Sequence, residues 1–402
     1  MVQPNIQYRR NPFFHNLPNH DVLGVAEAPQ IIRFHRTWPQ YRATPLRHLP
    51  ELAQYVDVAA ICVKDESQRF GIRSFKVLGS SWAMGRYLAL KWGLPSEQIT
   101  FAQLQDRARE HQPLTFAAAS DGNHGLGVAW TARELGQRAM IYLPAGTVDS
   151  RVDRIRSTGA MAEVTPWNYD DTVEYVSKLC QHNDWVMIQD TAWQGYHDIP
   201  LWVMQGYMTM VMEAQRQWNQ IQNAPPTHII LQAGVGSLAG AVTGWFAHSK
   251  STPAIIIAEP TAAPALWRSA ASPQGQPVKV AIDHTIMAGL ACGQPNPTAW
   301  EIIRQSATGF LICDDAVAAR GTRILANPLP PDPVILAGES GSMPLGLLVT
   351  LLDHPEYKDL RDELQLDNTS RILLFNTEGI TDPALFRELV WDAKYPLTTK
   401  GH

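Results

Sequence analysis

Cysteine is scarce in this chain: Cys62, Cys180, Cys292 and Cys313 are the only four in 402 residues, and no two form a Cys-x-x-Cys pair. That excludes a disulfide framework and a zinc site built on paired thiolates, and a reducing cytoplasm is the expected location. Basic runs are missing as well. With 33 Lys and Arg against 38 Asp and Glu, a net charge of -5 and no Lys/Arg-rich segment, the chain lacks the electrostatic footprint of a nucleic-acid binder. The first 21 residues are polar around Arg9-Arg10-Asn11-Pro12 and hold no apolar core segment, so no signal peptide is expected. Charge is absent over residues 229–247, a length close to a membrane span. Gly234, Gly236, Gly240 and Gly244 interrupt that run, which reads as strand, turn and buried helix, and no membrane partner is expected. What is present is globular: 45% hydrophobic and 18% charged residues, in a chain long enough for two domains with sizeable cores and suited to small zwitterionic or anionic ligands.

Short β-branched runs alternate with longer amphipathic stretches. The pattern predicts strands over residues 59–63, 115–119, 139–143, 185–189, 228–232, 255–258, 310–313 and 372–375. Between them it predicts helices over 75–92, 125–135, 169–182, 201–220 and 237–248. Alternation of this kind implies an α/β architecture with mostly parallel sheets flanked by helices. No repeat or low-complexity tract is present, and composition offers two joints, near residues 195–200 and 272–277.

Three motifs carry chemistry. Lys76 stands in Arg69-Phe70-Gly71-Ile72-Arg73-Ser74-Phe75-Lys76-Val77-Leu78-Gly79, followed some forty residues on by Ser120-Asp121-Gly122-Asn123-His124-Gly125. A lysine amine condenses with an aldehyde to a Schiff base, and a helix start with Phe beside it suits packing against a bound ring. Taken alone, one lysine reads as a solvated helix residue. The third motif is Gly234-Val235-Gly236-Ser237-Leu238-Ala239-Gly240 after an apolar strand, where backbone N–H groups, the helix N-terminus and the Ser237 hydroxyl would hold a phosphate. The same glycines, with Glu259 closing the next strand, also mimic a dinucleotide fingerprint. That alternative leaves Lys76 and the 120–125 motif without a task.

In this order the motifs resemble the fold-type II pyridoxal phosphate enzymes, the group of serine and threonine dehydratases, threonine synthase and cysteine synthase. Within it, Asp121 in its Ser-Asp-Gly-Asn-His-Gly setting, Gln189-Asp190-Thr191-Ala192-Trp193-Gln194-Gly195-Tyr196, Met287-Ala288-Gly289-Leu290-Ala291-Cys292-Gly293 and Gly338-Glu339-Ser340-Gly341 are similar to the diaminopropionate ammonia-lyase family, over about residues 11–387. The resemblance implies pyridoxal 5'-phosphate on Lys76, with Phe75, Asn123, Gly234, Val235, Gly236, Ser237, Leu238 and Thr377 holding it. Asn123 would donate to the phenolic oxygen. Thr377, in Phe375-Asn376-Thr377-Glu378-Gly379, would face the ring nitrogen with a hydroxyl that leaves it largely neutral. Ser120 and Gly122 would offer backbone N–H groups to the substrate carboxylate. His124 reads either as an outer partner of the site or as a core histidine satisfied by backbone. Glu339 and Ser340 read as a helix cap near the ring, and by a weaker analogy Glu259 could serve a cation.

Asp121 sets the substrate. Dehydratase relatives carry a small neutral residue there, because a carboxylate beside the substrate's own is costly unless a cation intervenes. The β-ammonium of 2,3-diaminopropionate is such a cation, with Asp121 and Asp190 as charge-assisted acceptors. Each aspartate alone also reads as an ordinary turn or strand-end residue. The expected activity is that of a carbon–nitrogen lyase: α,β-elimination of D- or L-2,3-diaminopropionate to pyruvate and ammonia, with Lys76 and Asp121 as bases on opposite faces. The alternatives are a serine/threonine dehydratase of the same fold and a cofactor-binding protein without turnover. The resemblance further implies a large cofactor domain (residues 1–81 and 196–402), a small domain (82–195), the cofactor between them, and a homodimer.

Overall fold

The computed structural model describes residues 3–15, 21–95, 98–249 and 251–397. The polar stretch over residues 1–21 and the outer limits of the large domain lie partly outside them. Among the described residues, eleven strands form two sheets: β1 Ile6–Arg10, β2 Leu46–His48, β3 Ala60–Asp65, β4 Thr115–Ala119, β5 Arg138–Leu143, β6 Met161–Val164, β7 Val186–Met187, β8 His228–Gln232, β9 Ala254–Pro260, β10 Gly309–Cys313 and β11 Arg371–Asn376. The larger sheet runs β1-β10-β9-β8-β11-β3-β2 and the smaller β6-β5-β4-β7. All pairings are parallel except at the two edges of the larger sheet, where β1 and β2 run antiparallel to their neighbours.

The parallel strands of the larger sheet lie buried on both faces, which is why they appear in the sequence as unbroken apolar runs rather than alternating ones. All eight predicted strands are found, although 185–189 shortens to Val186–Met187, and the five predicted helices stand within a few residues of their limits. The uncharged run 229–247 resolves into β8 and the helix Ser237–Ala247. Among the described residues no helix is long and apolar enough to cross a membrane. The helix Lys76–Lys91 is held against the helix Asp198–Ile221 by a backbone-to-backbone approach at Gly206, where a Cβ would fall 2.3 Å from the Leu78 carbonyl oxygen. That contact brings the lysine to the end of β11, between the two sheets.

Candidate active site

The loop before Lys76 is an unusual path. Phe70 and Arg73 both adopt positive φ, 48° and 63°, a region non-glycine residues seldom occupy. Its shape is fixed from the end of β11: Phe75 N–H donates to the Thr377 carbonyl at 3.1 Å, and Gly379 N–H donates to that of Arg73 at 2.9 Å. The Ser74 hydroxyl accepts the Lys76 N–H at 3.3 Å. The strained turn therefore delivers the lysine beside Thr377 and Glu378.

Lys76 meets Asp190. The Lys76 ammonium donates to Asp190 Oδ2, and the Tyr169 hydroxyl donates to Oδ1 at 3.3 Å. Burial pushes the Asp190 carboxyl up, but the Lys76 charge, with the hydrogen bonds from Lys76 and Tyr169, outweighs it and holds the group down at about 2. Burial likewise disfavours the Lys76 cation, and Asp190, then Tyr207 and Asp121, reverse this and keep the amine above its ordinary range. Asp190 thus binds an ammonium in this structure, that of Lys76, in the seat the sequence reading gives to the substrate's. Asp121 faces the same space, its carboxyl pushed up by burial against the pull of Arg151 and Lys76.

The 120–125 motif folds as a turn into the helix Asn123–Glu134, with Gly122 at φ +139°, which a side chain would resist. Here one expectation is corrected. The Ser120 N–H extends the sheet by donating to the Tyr142 carbonyl at 2.9 Å, and the Gly122 N–H donates to the Ser120 hydroxyl at 2.9 Å. Neither is free for a carboxylate, because Ser120 spends its polar groups on shaping the turn. The Gly125 and Leu126 donors are also taken, by Ser120 Oγ and the Gly122 carbonyl, which leaves those of Asn123 and His124 at the helix start. The His124 imidazole pairs with the Ile188 carbonyl at 2.8 Å through Nε2, its Nδ1 is buried without a partner, and burial lowers its pKa.

Thr377 follows β11 and its oxygen accepts from Gln232 Nε2 at 3.1 Å, leaving the hydroxyl proton free to donate. Its neighbour Glu378, which sequence reasoning passed over although it adjoins Thr377, accepts from the Asn123 side-chain amide and from Ser340 N–H at 3.2 Å. Burial raises the Glu378 pKa. The helix Glu339–Asp353 is capped by Gly338, so neither Glu339 nor Ser340 is the cap. Glu339 is instead a buried acid pushed up to about 8 by desolvation and by Glu378.

Gly234, Val235, Gly236, Ser237 and Leu238 line one cavity with Phe75, Lys76, Asp121, Asn123, Asp190 and Thr377, so the motifs do converge. Ser237 departs from its expected part: its hydroxyl donates to the Asp190 carbonyl and accepts from Asn296 Nδ2 at 2.8 Å. Gln232, Cys292, Tyr169, Ser340 and Glu378 also line it. Glu259 lies elsewhere in function. Its two carboxylate oxygens accept Leu266 N–H at 2.8 Å and Trp267 N–H at 2.7 Å, which serves neither a ribose nor a cation. Among the described residues no group of three or more His, Cys, Asp or Glu could hold a metal.

Comparison with known proteins identifies the family. Residues 37–358 match the family model described as pyridoxal-phosphate dependent enzyme. The diaminopropionate ammonia-lyase of Escherichia coli is 44% identical over 388 residues, 96% of either chain, and that of Salmonella typhimurium 44% over 371 residues, 91% of this chain and 92% of the other. The crystal structure of the Escherichia coli enzyme with an aminoacrylate-PLP azomethine reaction intermediate superposes with a TM-score of 0.91 at 42% identity, covering 98% and 99% of the two chains. Threonine deaminase from Solanum lycopersicum, at 18% identity and a TM-score of 0.71, shares the fold. The residues present fit the cofactor: the Ser340 hydroxyl and Gln232 Oε1 are buried in the cavity wall without a protein partner, and a glycine wall offers backbone rather than side chains.

Proposed function

Since this chain belongs to the pyridoxal-phosphate dependent enzyme family, we propose that it releases ammonia from 2,3-diaminopropionate by α,β-elimination. The observation that carries the reading is the meeting of Lys76, Asp121 and Asp190 in one cavity beside Asn123 and Thr377. Pyridoxal phosphate, when bound, supplies the conjugated ring that accepts the electron pair left as the α-proton departs. Lys76 would hold it through its amine, Thr377 would donate to the ring nitrogen, Asn123 to the phenolic oxygen, and 234–238 would meet the phosphate.

The chain's own groups do the rest. With the Lys76 amine committed to the cofactor, Asp190 would pair with the substrate's β-ammonium, and the N–H groups of Asn123 and His124 would receive the substrate carboxylate. Lys76, once neutral, takes the α-proton from one face and Asp121 from the other, so both antipodes react. The Cα–H and Cβ–N bonds break, the β-nitrogen leaves as ammonia, and the Cα=Cβ bond of aminoacrylate forms. Hydrolysis of that product gives pyruvate and a second ammonia.

Further parts of the reading are a homodimer in the cytoplasm, with the amino acid as its small-molecule partner, and a division into residues 1–81 with 196–402 and 82–195. The helix Lys76–Lys91 runs unbroken across the first of those joints. Sedimentation as a monomer would remove the dimer.

The deciding experiment is pyruvate release from D- and L-diaminopropionate, D- and L-serine and L-threonine. Preference for the diamino acids is expected. Preference for L-threonine or L-serine would instead make the chain a dehydratase. In Asp121→Asn, the D-isomer is expected to lose the ~10²- to 10⁴-fold of a general base, while the L-isomer loses mainly binding, and Asp190→Asn should affect both alike.

A further inference from the structure

One cation at the mouth of the site has no part in the reaction so far. Arg151 projects from the helix Asp149–Arg156 toward the Asp121-Gly122 turn. Its stem lies over Gly122, where a Cβ would come 3.1 Å from Arg151 Cδ, and its Nη1 donates to the Asp121 carbonyl at 3.4 Å. Asp121 and Arg151 both line an open cavity of about 490 Å³ that shares Asp121 and Tyr169 with the inner one. The guanidinium thus stands between solvent and the inner carboxylate, spent on a backbone carbonyl rather than on a salt bridge.

The surroundings of Asp121 make this charge necessary. Lys76 reaches it from its helix start, but Lys76 is matched by Asp190 in direct contact. Glu378 adds a second negative group from the loop after β11, and itself faces Glu339. His124, Tyr169 and Cys292 also face Asp121 and stay neutral, because burial lowers the imidazole and raises the hydroxyl and the thiol. Arg154, the other cation near Glu378, donates to the Ile72 carbonyl at 2.9 Å. Arg151 acts on Asp121, Glu378 and Glu339 alike, drawing each carboxyl down against its burial. When Lys76 carries the cofactor or acts as a neutral base, it can no longer serve Asp121 as a constant counter-charge.

We infer that Arg151 is a positioning residue for the elimination: it clamps the Asp121-Gly122 turn from the small sheet's side and keeps the Asp121 carboxylate ionised for proton removal on the face opposite Lys76. The inference rests on the proposed role of Asp121 as a base. It predicts a split between charge and hydrogen bonding that a merely structural residue would not produce. Arg151→Gln keeps a donor for the Asp121 carbonyl and removes the charge, whereas Arg151→Lys keeps the charge.

The test has two readouts in the full-length chain. The first is the infrared carbonyl band of protonated Asp121, assigned by its loss in Asp121→Asn and followed against pH. The second is the acid limb of kcat for D- and L-diaminopropionate in the cofactor-loaded enzyme. In Arg151→Gln the band is expected to persist to a pH about one unit higher, a tenfold change in the ionised fraction. The D-isomer limb should move with it while the L-isomer limb stays, and Arg151→Lys should lie with the parent on both readouts. An unmoved band in Arg151→Gln, or equal shifts in Arg151→Gln and Arg151→Lys, overturns the inference. If Asp121→Asn harms both antipodes equally, the base assignment itself fails and takes the limb prediction with it, whereas the band still reports whether Arg151 governs Asp121. Should Arg151→Gln not fold, Arg151→Asn, which also offers an uncharged amide donor, carries the same expectations.

Discussion

Lys76 and Asp190 lie in direct contact, so once the Lys76 amine is committed to the cofactor the buried Asp190 carboxylate is left without its counter-charge. A β-ammonium can take that place, which a diamino acid brings and the neutral β-hydroxyl of serine does not. Lys76→Ala is expected to abolish turnover by at least the ~10²- to 10⁴-fold of a lost general base. Borohydride should no longer fix pyridoxal phosphate to the protein in that variant. A borohydride-stable adduct in Lys76→Ala, located by peptide mass, would hand the role to another lysine. Asp121, Asn123 and Thr377 were legible in the sequence as lining of one cavity because each sits beside a glycine or at a strand end, and Lys76 because its motif precedes theirs in a fixed order. Glu378, Gln232, Tyr169 and Arg151 were not, since their places arise only when segments distant in sequence meet. Ser120 and Gly122 were misjudged because the backbone N–H groups that the resemblance gives to the substrate carboxylate are taken by the sheet edge and by the Ser120 hydroxyl.

At the scale of elements, hydrophobic period and turn chemistry located what is buried on both faces and missed what lies at the rim. β1, β2 and β6 were not foreseen: Ile6–Arg10 and Leu46–His48 carry arginines and histidine at antiparallel edges, and Met161–Val164 is a short, largely exposed edge. The joint between helices was equally silent. Gly206 looks like an interruption of a helical pattern, whereas in the structure it is the point where the helix Asp198–Ile221 touches the backbone of the Lys76 helix. Gly206→Ala should force the two helices apart at a cost of ~1 to 3 kcal/mol. Because Lys76 lies at one end of the displaced helix, kcat should fall as well. Urea unfolding and kinetics on the same preparation check both, and unchanged stability would mean that the helices separate freely.

The whole molecule rests on a feature that composition conceals, a neutral set of four buried charges between the larger sheet and its helices. Lys64 on β3 pairs with Glu213 Oε2 at 2.7 Å, Arg69 pairs with the same oxygen at 2.6 Å and with Glu66 Oε2 at 2.7 Å, and all are almost wholly inaccessible. Arg69 and Glu66 belong to the strained loop before Lys76, and Glu213 to the helix that carries Gly206. The network thus ties active-site geometry to global stability. Burial pushes the Glu213 carboxyl up, but Arg69 and Lys64 outweigh it and hold it well below the usual carboxylate range. A depressed acid contributes stability above its unfolded value, ~4.3, and that contribution fades as the pH falls toward the folded value. The parent is therefore expected to lose stability on acidification below about that pH. Glu213→Gln leaves Lys64 and Arg69 with Glu66 alone, an uncompensated buried charge that should cost ~3 to 5 kcal/mol at neutral pH. The variant should also show a shallower decline in acid, having already lost the group that titrates. Urea unfolding from neutral to acidic pH measures both: a neutral-pH loss under ~1 kcal/mol, or parallel acid slopes in parent and variant, would mean that the four charges are held by the fold rather than holding it.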